Sequence, residues 1–281
     1  MPFIRGGSAH VMVGSHNLTP FTNNCSVRMD AGLVESTVFG ELYRDFQENL
    51  QSATVNISGF FDDQAYSHPG TGAGSDDIVS DRVTSISPGI LALTNTVDTT
   101  KGYAPITVAW AGNTGGNTCF VGAVASADYE TGNDVGGLTS FAANYTCTRS
   151  WVASLAGTKG TTQTTAFSSR GVILAPLATY SSGGFIGTEH DNGASSLNGV
   201  IINLHGQFIG SSGTCTVRVE HSTSPGGVGA TTVATFSDLT TVTGPYGQSL
   251  IITGTINRYV RAFLVSSMTG GQTLAVSYAR L

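Results

Sequence analysis

The sequence predicts an all-β fold with one short α-helix. Three observations lead there. Apolar and polar residues alternate at period two in many short runs, and Gly, Ser, Thr and Asn fill the gaps between them. Charge is scarce: 11 % of the 281 residues are charged, against roughly 25 % in an average globular domain, and 37 glycines stand in the chain. A single block, Val34 to Asp63, switches to helical spacing and concentrates the charge.

The elements follow in order. Residues 8–33 read as short strands around a turn, through His10–Val13, Asn17–Phe21 and Cys25–Met29. Ser36 and Thr37 can cap a helix start. Phe39, Leu42, Tyr43, Phe46 and Leu50 then form one apolar face at helical spacing, with Glu41, Arg44, Asp45 and Glu48 opposite. The period drops to two at Thr54: Val55, Ile57 and Phe61 share one side, and Thr54, Asn56, Ser58 and Phe60 share the other. Gly59 marks a bulge or a close backbone approach. Residues 64–82 form a surface loop by their Gly, Ser and Asp content. Strand runs resume at Gly89–Thr96, Ile106–Ala111, Cys119–Asp128, Leu138–Trp151 and Gly171–Leu177. Tyr180–Gly184 reads as a linker, so a division into residues 1–180 and 181–281 is expected. Beyond it lie strands at Val200–Ile209, Cys215–Ser222, Thr232–Phe236, Gln248–Ile256, Tyr259–Ser266 and Thr273–Arg280, at the spacing of a compact β-sandwich.

Composition also bounds function. With 40 % hydrophobic residues the chain can bury a core. A net charge of −6 with scattered basic residues argues against gripping phosphates, but allows a surface that DNA passes without adhering. The start shows no apolar core of a signal peptide, and no run approaches the roughly 20 apolar residues of a membrane span. Cys25, Cys119, Cys147 and Cys215 form no Cys-x-x-Cys pair and read as small buried residues. A Cys119–Cys147 disulfide stays open as an alternative.

No chemistry-bearing constellation stands out, so no enzyme, cofactor or metal is expected. Asp62, Asp63, Asp76, Asp77 and Asp81 lack the spacing of a calcium loop and read as a solvated acidic loop. Glu189-His190-Asp191 are adjacent, which does not converge them as a catalytic triad requires. His10 and His16 are poorly spaced for a metal. Gly70–Ser75 lacks the Gly-Lys-Ser/Thr ending of a phosphate loop. Trp110 and Trp151 could form a sugar platform or sit in the core, the more usual place for strand aromatics.

The opening block also resembles a known family. Gly14-Ser15-His16-Asn17-Leu18-Thr19, Val38-Phe39-Gly40 and Ala53–Asp62 (ATVNISGFFD) are similar to the N-terminal region of major tail proteins, the tail tube subunits of long-tailed bacteriophages. Val217–Ser222, Ala234–Phe236, Thr253–Arg261 and Ala275–Arg280 resemble the C-terminal domain appended to such proteins. The chain departs from them at Gln47-Glu48-Asn49, where relatives often carry a Pro-Gly pair. The resemblance implies a tail-tube-type β-sandwich or barrel over 1–180, and an immunoglobulin-like β-sandwich decorating the surface over 181–281. It implies a virion protein, assembled in the host cytoplasm, that forms stacked rings, hexameric or trimeric. The rings would enclose the tape-measure protein, meet terminator and tip proteins, and conduct double-stranded DNA without specific binding or membrane insertion. In that frame Phe39, Leu42, Phe46 and Leu50 pack the helix on the shared sheet, and Asp76, Asp77 and Asp81 belong to an inter-ring loop. The alternatives are a carbohydrate- or receptor-binding module and a capsid decoration protein.

Overall fold

The computed structural model describes residues 9–35, 46–60, 104–132, 139–148, 168–208, 211–240 and 246–281. They form sixteen strands. The first eight are β1 (His10–Val13), β2 (His16–Asn17), β3 (Thr22–Glu35), β4 (Phe46–Phe60), β5 (Ala104–Ala109), β6 (Thr118–Gly132), β7 (Ser140–Thr148) and β8 (Ser168–Tyr180). The others are β9 (Gly184–Asp191), β10 (Val200–Phe208), β11 (Thr214–Ser222), β12 (Thr231–Thr235), β13 (Leu239–Thr240), β14 (Tyr246–Ile252), β15 (Tyr259–Ser266) and β16 (Gln272–Arg280). All pairings are antiparallel. The all-β expectation holds.

One long sheet runs β14-β10-β16-β8-β6-β5-β1-β2, and β7, β4 and β3 branch from β6. A second sheet runs β12-β11-β15-β9, with β13 beside β11. Strand alternation sorts the side chains into three cores. Ala53, Val55 and Ile57 of β4 meet Ile106 and Val108 of β5 and Phe120 and Val124 of β6 in the first. The opposite faces of β6 and β16, through Cys119, Val121, Ala123 and Ala279, enter a thinner second core with Ile173 and Ile201. Val200, Ile202 and Leu204 of β10 and Leu274 and Val276 of β16 meet Val217, Val219, Val260 and Leu264 in the third. The strands thus stack in four layers, and the two inner layers are covered on both faces. That is why β5 reads as an unbroken buried run.

The second core is partly polar and joins distant parts of the chain. Fully buried His205 on β10 places Nδ1 2.7 Å from the carbonyl oxygen of Gly14 in the β1–β2 turn. A carbonyl only accepts, so Nδ1 carries the proton. Nε2 then accepts from the Thr107 hydroxyl at 2.8 Å, and Thr107 accepts from Ser277 at 2.7 Å. Beside this chain, Asn203 donates to the carbonyls of Ile106 and Gly122, both at 2.9 Å. Burial lowers the His205 pKa to about 4, with the bond to Gly14 opposing the shift and His10 reinforcing it. The turn packs so closely here that a Cβ on Gly247 would sit 2.5 Å from the Gly14 carbonyl carbon.

One expectation changes. The helix proposed to run to Leu50 does not include Phe46–Leu50: these residues extend β4 and pair with β3, Glu35 opposite Phe46. Phe39 and Leu42 lie outside the described residues. The expected boundary after residue 180 marks the turn into β9, yet the long sheet crosses it, because β8 pairs with β6 on one edge and β16 on the other. Glu189-His190-Asp191 close strand β9, an edge strand paired with β15. The four cysteines are free thiols, and Cys119 and Cys147 lie in different cores on opposite sides of β6.

The close approach expected at Gly59 is present. A Cβ there would lie 1.8 Å from the Phe21 carbonyl oxygen, which accepts from the Phe60 amide at 2.9 Å. Backbone cannot yield as a flexible side chain does. Gly59→Ala is therefore expected to cost about 2–3 kcal/mol, read as a lower urea midpoint at unchanged slope.

Candidate assembly surface

The four-stranded unit β3-β4-β7-β6 carries the most distinctive exposed surface. Its inner face builds the first core; its outer face is a carpet of small polar side chains. Register aligns Ser26, Asn56, Asn144 and Asp128 in one row across the four strands. Asn56 donates to Ser26 at 3.5 Å, and Asn144 donates to the Asp128 carboxylate. Neighbouring rows hold Arg28, Thr54 and Thr146, and Asn24, Ser58, Ala142 and Glu130. Arg28, Asp128 and Glu130 are exposed. A shallow hollow of about 310 Å³ lies on this face between Asn23, Ser58, Glu130, Ser140 and Ala142.

Both ends of the unit are open among the described residues. β3 pairs only with β4. The second half of β6, Ala125–Gly132, pairs only with β7, whereas its first half is held by β5 and β8. Phe60 lies on the polar face and sends its amide toward β3. By alternation, polar-face residues of β3 bond back to β4, while Cys25, Val27 and Met29 aim N–H and C=O at the open edge. Among the described residues β4 pairs with β7 only from Ser52 onward, and Phe46–Gln51 pair with β3 alone, as a two-stranded ribbon. Met29 shares the core-side face with Val27 but is 52 % exposed. An open strand with an exposed methionine and no proline invites pairing with another chain.

The outer sheet carries a different cluster. Glu220 on β11, 4 % exposed, binds Arg218 at 2.5 Å and Arg261 of β15 at 2.7 Å. Arg218 lies 4.6 Å over the Phe263 ring. Both guanidiniums are spent on this clamp, which ties β11 to β15. At the sheet edge Asp191 takes two 2.6 Å bonds from Arg258, which hold its carboxyl at about 2. Glu189 instead accepts the Gly226 amide at 2.8 Å, and His190 tilts toward Tyr278. The three adjacent residues therefore serve three separate contacts. Trp110 packs against the first core with Arg170 6.0 Å from its ring.

Of the residues singled out from sequence, Phe46 and Leu50 fall on the ribbon strand β4. Asp76, Asp77, Asp81, Gly70–Ser75 and Trp151 lie outside the described residues. His10 bonds Thr19 at 3.1 Å, and no group of metal-ligating side chains gathers among the described residues. Sequence reasoning missed Arg28, Asp128 and Glu130, whose only sequence signal is a charge at alternating positions in a strand.

No family model and no curated protein matches the chain. Comparison with solved structures finds a chain from the virion of a native gene transfer agent particle, 11 % identical, covering 50 % of this chain and 92 % of that one, with a TM-score of 0.33. It also finds the SPP1 tail tube, 8 % identical over 51 % of this chain and 75 % of that one, TM-score 0.33. A third is the SPP1 Dit protein, a hub of the adsorption apparatus in phages infecting Gram-positive hosts. It is 12 % identical, covers 97 % and 99 %, and has a TM-score of 0.29. Likeness at these scores carries no argument about what the chain does.

Proposed function

We propose that the chain is a structural virion protein that polymerises as stacked rings into a phage tail tube. One observation carries the reading: a four-stranded antiparallel sheet with an open edge at each end, one apolar face and one polar face of mostly small uncharged side chains. Four is an even number, so β3 and β6 point in opposite directions. Copies related by rotation about a common axis then join edge to edge antiparallel, continuing the pattern around a closed barrel. Closure removes the exposed edges that would otherwise aggregate.

Width favours six copies. Six four-stranded units make a barrel of roughly 24 strands, about 115 Å around at ~4.8 Å spacing and about 45 Å across once strands tilt by ~35°. Three copies would give about half that, and side chains from both walls would leave too little room for a DNA duplex. The Asn, Ser and Thr carpet with Asp128 and Glu130 faces the conduit and offers phosphates no cluster of cations. The tape-measure protein fills the same space before DNA does. The C-terminal sandwich stands outside the wall, and the role is structural rather than catalytic. Negative-stain electron microscopy of the purified chain tests this, with hollow rings or tubes as the expected result.

A further inference from the structure

Resting on the ring reading, we propose that Arg28 of one copy pairs with Glu130 of the next across the joint between β3 and β6. Both charges lie on the polar face, both are exposed, and they stand on the two open edge strands. The partner is a second copy of this chain, chosen by charge complementarity between its two edges.

Register selects the pair. Within one copy the Asn24 row ends at Glu130 and the Ser26 row at Asp128. Joined without stagger, Arg28 would face Ala125, where its own row ends. Barrel strands tilt, however, and a tilt of ~35° staggers the rows by about four residues over four strands. The direction of the stagger follows from handedness. The Phe60 amide points at β3 from the polar face, so for L-residues β3 is the right-hand edge, seen from outside with β3 pointing up. The right-handed lean of barrel strands then carries each row downward into the next copy. On β6, which runs down, four rows beyond Ala125, past the bulge between Ser126 and Asp128, places Arg28 opposite Glu130. The pair closes each joint and sets the register at which rings form, since a slip by two residues in one direction leaves Arg28 beyond the carboxylate.

A charge exchange tests it. Arg28→Glu and Glu130→Arg, each alone, are expected to cut the ring fraction at least tenfold by sedimentation and microscopy, with unchanged circular dichroism. The double exchange is expected to restore rings. Where a single variant loses its dichroism, the Arg28→Cys/Glu130→Cys protein decides: opposed residues bring Cβ atoms within disulfide reach, so oxidation yields a covalent ladder of multimers. Rings from both single variants, an unrescued double exchange of folded protein, or no ladder would overturn the pairing while the ring reading stands. A wild-type chain that never forms rings would overturn both.

Discussion

Met29→Pro is expected to leave the chain folded and abolish ring formation. Met29 pairs with Ala53 of β4, yet alternation aims its own amide at the open edge. Proline removes that N–H and places its ring where the neighbouring strand must approach. The bonds that hold β3 to β4 come from the residues either side and persist. Because Met29 is 52 % exposed, little core packing is lost. The result is read by sedimentation velocity: a single slow species for Met29→Pro and fast assemblies for wild type, both with the same strand-rich dichroism. Proline at an exposed site on β12, such as Thr232→Pro, is the control and should still assemble, because that strand belongs to the outer sheet.

The second large effect lies in the buried seam. His205→Ala removes a ring that satisfies Gly14 and Thr107, and it leaves a cavity. The expected cost is about 3–5 kcal/mol, the usual scale for a buried cavity with orphaned polar partners. The same histidine makes the fold acid-sensitive. His205 and His16 are each lowered by burial to about 4 in the folded chain, from 6.5. The unfolded chain takes up these protons below pH 6.5 while the folded chain resists them until about 4. Stability is therefore full above pH 6.5 and falls as pH drops toward 4, by roughly 3 kcal/mol per group. Urea unfolding of the monomeric Met29→Pro protein at pH 7 and pH 5 measures the slope. Adding His205→Ala should lower stability at pH 7 and flatten part of that slope.

Much of the fold is legible in the sequence. β11 and β15 alternate clearly, β10 and β16 read as apolar-rich runs, and Gly-rich turns separate these strands from β12 and β14, so the expected spans fall within a few residues of the observed ones. β9 is not legible, because an edge strand reading Gly-Phe-Ile-Gly-Thr-Glu-His-Asp is polar on its open face and carries turn residues. Phe46–Leu50 reads as helix in the sequence because two apolar residues four apart share one face of a helix and equally one face of a strand. Pairing with β3 decides between these, and pairing is not local. The seam is invisible for the same reason: Thr107 meets His205 and Ser277 across separations of 98 and 170 residues. The polar face was half legible, since Thr54, Asn56 and Ser58 alternate with Val55 and Ile57. Its continuation into Asn144 and Asp128 depends on β7 lying between β4 and β6.

The central claim is that β3-β4-β7-β6 units close edge to edge into a tube. End-on electron-microscopy averages of the purified wild-type chain test it most directly. The account predicts hollow rings of sixfold symmetry, whose inner wall is a continuous sheet with four strands per copy. Solid particles, or monomers that persist at high concentration and with tail-initiation partners present, would contradict it.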